Sequence, residues 1–261
     1  MQAEYRQKLL ERLETSPKLS IREAMDLLDV SESTARRLFS GMEEEGYAIR
    51  THGGLSARNH ILTKYSFDTG MRTNIERKTA IAREAVQLVE DGDVLFCDSG
   101  TTVQCFCMEL ASRIRSEGLS VRLYTNSLAN LEILSDVMQV VLVGGEYRPN
   151  RKDFSGYLAN QTLSSLYFTK AFLGADGCVD MKAFCTTDAE TAGINQTVVG
   201  NSDRVIILAD STKFSIASHL IYLPIRKLHA IVTDEGITPQ QQEQLMEQQI
   251  KVFCAPLTQK Q

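Results

Sequence analysis

Apolar residues in the first fifty positions recur at helical spacing. Tyr5, Leu9, Leu10 and Leu13 share one face, the rhythm of an amphipathic helix, and Pro17 is expected to end it. Ser20-Ile21-Arg22-Glu23 has the capping-box pattern, with a serine at the N-cap and a glutamate three residues on. A second helix is therefore predicted to about Leu28. After a turn at Asp29-Val30-Ser31, Ser31 caps a third helix running to about Glu45, with Gly46 as its closing glycine. Alternation over 47–55, broken by Gly53-Gly54, predicts a small β-hairpin. From His52 to about Thr73, Gly, Ser, Asn and scattered charges replace the pattern, which reads mostly as linker.

Regularity returns at Asn74, where Ile75, Ala82, Val86 and Val89 fit one helix face. Short apolar runs then alternate with helical stretches, at 94–97, 121–124, 140–143, 171–173, 205–208, 230–232 and 251–253. Strands alternating with helices predict an α/β domain with a mostly parallel sheet covered on its faces. The expected organisation is a winged helix-turn-helix over 1–57, a linker over 58–73 and an α/β domain over 74–261.

Composition narrows this reading little. The chain has 261 residues, 43% hydrophobic and 23% charged, an ordinary globular balance. No apolar run approaches the roughly 18 residues of a membrane helix, and the first residues lack a secretory apolar core. Six cysteines at 97, 105, 107, 178, 185 and 254 contain no Cys-x-x-Cys pair, so neither a disulfide scaffold nor a structural zinc site is expected. Cys105 and Cys107 lie two apart on a predicted helix and read as one core and one surface thiol. His60, His219 and His229 are scattered and read as surface or satisfied positions. A cytoplasmic protein with no cofactor and no metal is the expectation.

Charge alone does not suggest nucleic acid. The net charge is −5, and residues 1–58 hold nine Lys and Arg against ten Asp and Glu. The case rests on the helix-turn-helix. Its second helix opens with Ser31, Ser33, Thr34, Arg36 and Arg37, short hydroxyls and guanidinium groups suited to phosphates and base edges in a major groove. The hairpin would be a wing bringing Arg50, His52 and Gly53 to the backbone. Double-stranded operator DNA is the expected partner.

A second set of candidates lies where strands end. Asp98-Ser99-Gly100-Thr101-Thr102, Thr125-Asn126-Ser127, Gly144-Gly145-Glu146, Gly174-Ala175-Asp176-Gly177, Asp210-Ser211-Thr212-Lys213 and Thr233-Asp234-Glu235-Gly236 all follow apolar runs. The carboxyl ends of parallel strands share one edge, where ligands bind. Asp98 to Thr102 joins a strand to a helix, and a glycine before a helix N-terminus makes an anion cradle. Ser99, Thr101, Thr102 and Ser127 add hydroxyls, and Lys213 a charge. Asp98 and Asp176 suit sugar hydroxyls. Thr125, Asn126, Gly144 and Gly145 complete the set, which describes a site for a sugar phosphate.

Both sets of motifs resemble the DeoR family of bacterial transcriptional regulators. That family reads Val-Ser-x-x-Thr-Ile-Arg-Arg-Asp-Leu, then Leu-Glu-x-x-Gly and Arg-x-His-Gly-Gly. The matching residues here are Val30, Ser31, Thr34, Arg36 and Arg37, then Arg50, His52, Gly53 and Gly54. Its effector domain shows Asp-x-Gly-Thr-Thr, Thr-Asn-Ser, Gly-Gly-x-x-Arg, Phe-x-Gly-Ala-x-Gly, Thr-Thr and Ala-Asp-Ser-Ser-Lys-Phe. These match at 98–102, 125–127, 144–148, 172–177, 186–187 and 209–214. Leu38, Lys170, Phe184-Cys185 and Asn195 depart from the pattern, standing where Asp, Asp, Gly-Leu and Lys are usual. The resemblance implies a DNA-binding regulator, usually a repressor, acting as a dimer or tetramer. It also implies a C-terminal domain that looks like ribose-phosphate isomerase and binds a phosphorylated sugar. Two alternatives stand beside it. One is an isomerase using Asp98, Asp176, Asp188 or Glu190 as a base. The other is an adaptor that uses the winged domain to bind protein.

Overall fold

A computed structural model describes residues 2–16, 18–44, 47–51, 53–57, 66–218 and 220–257. The chain divides into two compact units, residues 1–64 and 65–261.

The first unit runs α1 (Gln2–Thr15), β1 (Lys18–Ser20), α2 (Ile21–Leu28), α3 (Glu32–Glu44), β2 (Ala48–Thr51) and β3 (Gly54–Ala57). Leu9 and Leu13 of α1, Ala24 and Leu28 of α2, and Ala35, Phe39 and Met42 of α3 meet in its core. The capping box is made as expected. Ser20 Oγ accepts from Glu23 N at 3.2 Å, and Ser20 N donates to Glu23 Oε2 at 2.8 Å. Asp29 closes α2 in the left-handed region, at φ 51°. The wing is a three-stranded antiparallel sheet in the order β1-β3-β2. Its third strand, Lys18-Leu19-Ser20, is too short for alternation to show and hides beside the cap of α2. Glu45, Gly46, Pro17 and His52 lie outside the described residues.

The second unit opens with α4 (Phe67–Arg72) and α5 (Ile75–Ala85), then β4 (Val94–Cys97), α6 (Thr101–Glu117), β5 (Arg122–Thr125), α7 (Leu128–Leu134) and β6 (Val140–Leu142). A hairpin of β7 (Glu146–Arg148) and β8 (Asp153–Ser155) leads to α8 (Tyr157–Ser164) and β9 (Phe168–Gly174). Next come β10 (Gly177–Val179), β11 (Ala183–Thr186), α9 (Ala189–Gly200), β12 (Ser202–Leu208) and β13 (Leu220–Pro224). The unit ends with β14 (Ala230–Asp234), α10 (Pro239–Glu247) and β15 (Lys251–Ala255).

Seven strands form one sheet in the order β15-β14-β12-β9-β4-β5-β6, and every neighbouring pair is parallel. They coincide with the seven apolar runs. The run at 121–124 shifts by one residue to Arg122–Thr125. Both faces are covered, so the strands are apolar throughout rather than alternating. On β4, Leu95 and Cys97 face the core under α5 and α6, and Phe96 faces the opposite core with α8 and α9. The order places β5 and β6 on one side of β4, and β9, β12, β14 and β15 on the other. The sheet therefore reverses between β4 and β9, the position where parallel sheets open a crevice at their carboxyl ends.

Four expectations are corrected. The linker span 58–73 holds α4, capped by Ser66 and anchored by buried Phe67; at six residues it is too short to show a period, and 58–65 lie outside the described residues. Ile75 is exposed, while its neighbour Ile81 is buried with Ala82, Val86 and Val89. Cys105 and Cys107 are both buried, because α6 is covered by the sheet on one side and α5 on another. Small strands β7, β8, β10, β11 and β13 were not foreseen. Lys170 lies at the amino end of β9, where its ammonium bonds Glu90 Oε2 at 2.5 Å and Asp93 Oδ2 at 2.7 Å. Its departure from the family pattern thus falls at the sheet edge opposite the crevice.

Gly54 sets how closely β3 approaches β1. A Cβ there would lie 2.3 Å from the Leu19 carbonyl oxygen. Gly54→Ala is expected to destabilise the first unit by about 1–3 kcal/mol, seen as faster amide exchange throughout β1 and β3. Unchanged exchange would contradict the close approach.

Candidate functional site

At the start of α3 three hydroxyls cluster. Ser31 Oγ lies 3.0 Å from both Ser33 Oγ and Thr34 Oγ1, and accepts from Thr34 N at 3.4 Å. Ser31 and Ser33 are exposed. Arg36, also exposed, donates through Nε and Nη2 to Glu32 Oε1 at 2.9 and 2.6 Å. Such a solvent-exposed i, i+4 pair is worth only about 0.3–0.5 kcal/mol, so a phosphate or base edge can readily take the guanidinium. Arg37 is exposed with no side-chain partner among the described residues. Leu38, at the position of the usual aspartate, packs against the unit's core, which leaves both arginines on the outer face. On the wing, Arg50 Nη1 donates to Ser40 Oγ at 2.9 Å and ties β2 to α3. Gly53 is exposed with a φ of 102°, and His52 lies outside the described residues.

In the second unit the 98–102 loop occupies the reversal point of the sheet. Asp98 is buried, and its carboxylate bridges the two central strands. Oδ1 accepts from Gly100 N and Oδ2 from Gly174 N, both at 2.7 Å. Burial raises its pKa to about 6 against the pull of these N–H groups, and the Asp176 charge adds to the rise. Gly100 then caps α6, and Thr101 and Thr102 form its first turn, where N–H groups have no intrahelical acceptor. Asp176 is held by the Thr186-Thr187 pair. Its Oδ2 accepts from Thr186 Oγ1 at 2.9 Å, Thr187 N at 2.9 Å and Thr187 Oγ1 at 3.0 Å. Tyr222 Oη donates to the Gly174 carbonyl. Burial, with Asp98 and Asp176 nearby, pushes that phenol well above its usual pKa.

Ser99 turns to the β7–β8 hairpin and donates to Asp153 Oδ2 at 2.7 Å. Arg148 clamps the same carboxylate, with Nε to Oδ1 and Nη2 to Oδ2, both at 2.8 Å. It also reaches Asp188 Oδ1, the N-cap of α9, at 2.5 Å. Burial works to raise the Asp188 pKa, but the Arg148 and Thr191 hydrogen bonds outweigh it and bring the carboxyl to about 2. Gly145 allows this hairpin to close, since a Cβ would lie 2.3 Å from the Ser155 carbonyl oxygen.

Two lysines complete the candidate set, Lys78 on α5 and Lys213 in the turn after β12. Lys78 is buried and donates to the carbonyls of Gly70 and Thr73. Burial, then repulsion from Lys213, lowers its pKa to about 8. Lys213 has no acidic partner among the described residues. Asp210 and Asp234 are occupied with loop geometry. Asp210 Oδ1 accepts from Thr212 N at 3.1 Å, and Asp234 accepts from Ser211 N and Ser211 Oγ at 2.7 and 2.9 Å.

Residues 6–60 match the model of the DeoR-like helix-turn-helix domain, and residues 73–235 that of the DeoR C terminal sensor domain. The chain is 33% identical to a lactose phosphotransferase system repressor of Lactococcus lactis subsp. lactis, over 91% of this chain and 93% of that one. It is 26% identical to a putative aga operon transcriptional repressor of Escherichia coli O157:H7, over 96% and 93% of the two chains. The chain belongs to the DeoR family. Among solved structures it is similar to ribose 5-phosphate isomerase A of Methanocaldococcus jannaschii, at 24% identity over 54% of this chain and 55% of that one, with a TM-score of 0.43.

As a DeoR-family protein the chain is a DNA-binding transcriptional regulator and not an isomerase. Asp188 is locked by Arg148, and Glu190 is exposed on α9, so neither suits general-base work. Asp98, Ser99, Gly100, Thr101, Thr102 and Asp176 lie together around the reversal point. Thr125 and Ser127 belong to its scaffold: both are buried, with Thr125 Oγ1 donating to the Cys97 carbonyl at 2.6 Å and Ser127 Oγ capping α7. Asn126 Nδ2 likewise holds the Phe154 carbonyl at 3.0 Å. Sequence reasoning missed Lys78, Asp153 and Tyr222; Arg148 entered only as the arginine that ends Gly-Gly-x-x-Arg, and Asn195 only as a departure from the family's usual lysine. No helix among the described residues is long and apolar enough to cross a membrane.

Asp98→Asn leaves one of the two backbone N–H groups facing an amide nitrogen. It is expected to lower the stability of the sensor unit by about 1–3 kcal/mol in thermal unfolding. A wild-type midpoint would show that the bridge does not hold β4 to β9.

Proposed function

We propose that this regulator represses a carbohydrate-metabolism operon from the cytoplasm, binding operator DNA as a homo-oligomer, and that a phosphorylated sugar held by the sensor unit changes its DNA affinity. The α3 face would enter the major groove. Ser31, Ser33, Thr34, Arg36 and Arg37 would meet bases and phosphates, and Arg50, His52 and Gly53 of the wing would flank the backbone. The observation carrying the effector reading is the start of α6 at the reversal point, where Gly100 caps the helix and the first-turn N–H groups have no intrahelical acceptor, with Lys78 and Lys213 adding positive charge that repels itself. An anion relieves that repulsion and takes the N–H groups. The relatives named above are a lactose phosphotransferase system repressor and a putative aga operon transcriptional repressor, which fits a sugar-derived ligand. The ligand acts only in so far as it binds the DNA-bound and DNA-free states differently.

Arg36→Ala with Arg37→Ala is expected to weaken binding to DNA from upstream of the protein's own gene at least tenfold, on the scale of about 1–3 kcal/mol per base contact. It should also flatten the salt dependence by about 0.9 per lost phosphate contact. Fluorescence anisotropy at several salt concentrations checks both, and an unchanged curve would remove α3 from the interface. Lys78 supplies a second test. Its lowered pKa means that the free protein loses this positive charge as pH rises through about 8. Affinity for sulfate, whose own charge is constant there, should fall as pH rises past ~8. Titration calorimetry showing no fall would exclude Lys78 from the anion site.

A further inference from the structure

One acid stands among the exposed polar groups of α3. Glu32 is the first residue of that helix and the only acidic residue between Ser31 and Met42. Its side chain is 57% exposed, and that of Arg36, one turn on, 51%. A carboxylate on this face carries a cost, because it adds repulsion where DNA phosphates are to be met. Its ordinary benefits are small. An acid near a helix N-terminus suits the helix dipole, but a glutamate elsewhere in the first turn would serve as well. An exposed i, i+4 ion pair adds little to stability.

The geometry of the pair points to a further role. Arg36 turns its side edge to the carboxylate, with Nε and Nη2 both donating to Glu32 Oε1 at 2.9 and 2.6 Å. Its end edge, formed by Nη1 and the second N–H of Nη2, has no partner among the described residues, and neither has Glu32 Oε2. The pair therefore offers two parallel donors beside an acceptor-only oxygen. In the major groove guanine presents two acceptors, N7 and O6, and its paired cytosine one donor, N4. Two donors next to an acceptor complement that edge. An A·T pair sets adenine N6 against a donor and thymine O4 against the carboxylate. An arginine alone reads only the guanine half, and with its side edge free it can swing to a phosphate instead.

We infer that Glu32 is a specificity residue of the DNA interface: it aims Arg36 and with it reads one G·C base pair, Arg36 taking the guanine and Glu32 the cytosine amino group, at the expense of affinity for DNA in general. This rests on the reading of α3 as the helix that enters the major groove, and extends it to a carboxylate.

The test is selection of bound duplexes from a randomised pool by the full-length wild-type protein, Glu32→Gln and Arg36→Lys, followed by fluorescence anisotropy on the selected sequences. Circular dichroism and thermal unfolding check that both variants fold. The wild-type motif should hold a G·C pair whose replacement by A·T weakens binding about tenfold or more. Glu32→Gln keeps the side-chain length but loses the charge and gains a donor. It should cut that discrimination to about threefold or less and leave the rest of the motif as it is. It should also bind a duplex of unrelated sequence about twofold or more tightly than wild type does. Lysine cannot present two parallel donors, so Arg36→Lys should relax preference at the same base pair. A merely structural ion pair would move the melting temperature and leave the selected sequences alone. If Glu32→Gln selects the wild-type motif with undiminished discrimination, the inference fails and the placement of α3 in the groove survives. Unchanged preference in Arg36→Lys, or relaxation at a different base pair, overturns it likewise. If the wild-type protein enriches no sequence, the base-reading role of α3 and the inference fail together.

Discussion

One buried carboxylate ties together the two strands between which the sheet reverses. Asp98 leaves the end of β4 and accepts from the backbone of its own loop at Gly100 and from the end of β9 at Gly174. At a reversal point the connections leave neighbouring strands in opposite directions, and a crevice opens outside their carboxyl ends. Asp98 extends the pairing of β4 with β9 to the floor of that crevice. Its position also sets the start of α6, since Gly100 is at once a donor to Asp98 and the N-cap of the helix. Glycine suits position 100, where a Cβ would lie 2.9 Å from Asp98 Oδ1. The neighbouring Ser99 extends the same loop to Asp153, and through it to Arg148 and α9. Polar groups otherwise scattered along the chain thus converge because one loop bonds in three directions.

The two units divide the work by surface chemistry. The first keeps its apolar residues in a small core and leaves Arg37 and the Ser31 cluster on the outside. Among the described residues the Arg36 guanidinium is tied only by a weak exposed ion pair. The second buries its charges. Asp98, Asp153, Asp234, Lys78 and Lys170 all have little exposure, and most are compensated by backbone or opposite charge, as buried charges must be. Lys213 has no acidic partner among the described residues, and buried atoms of Gln104, Asn126, Asn130, Asn195 and Thr233 have no hydrogen-bond partner there.

Much of this was legible in the sequence, for physical reasons. A strand buried on both faces has to be apolar along its length, so the seven sheet strands stood out as runs. The capping box at Ser20 and the Gly-Thr-Thr after β4 are local devices whose partners lie within three or four residues. What stayed hidden depends on partners distant in the chain. Arg148 meets Asp188 forty positions away, and Lys78 is defined by Lys213. Short strands such as β1 and β10 owe their extension to a neighbour, not to alternation. Ile75 illustrates the same limit: periodicity counted an apolar residue at the mouth of α5 as core, whereas only later turns of that helix reach the sheet.

The most direct measurement is amide hydrogen exchange of the full-length protein with and without a saturating hexose monophosphate. First-turn amides without acceptors exchange quickly unless a ligand takes them. The account predicts slowed exchange at residues 98–103 and 174–177, around the Asp98 bridge. Ligand-induced protection elsewhere, with these amides unchanged, would contradict it.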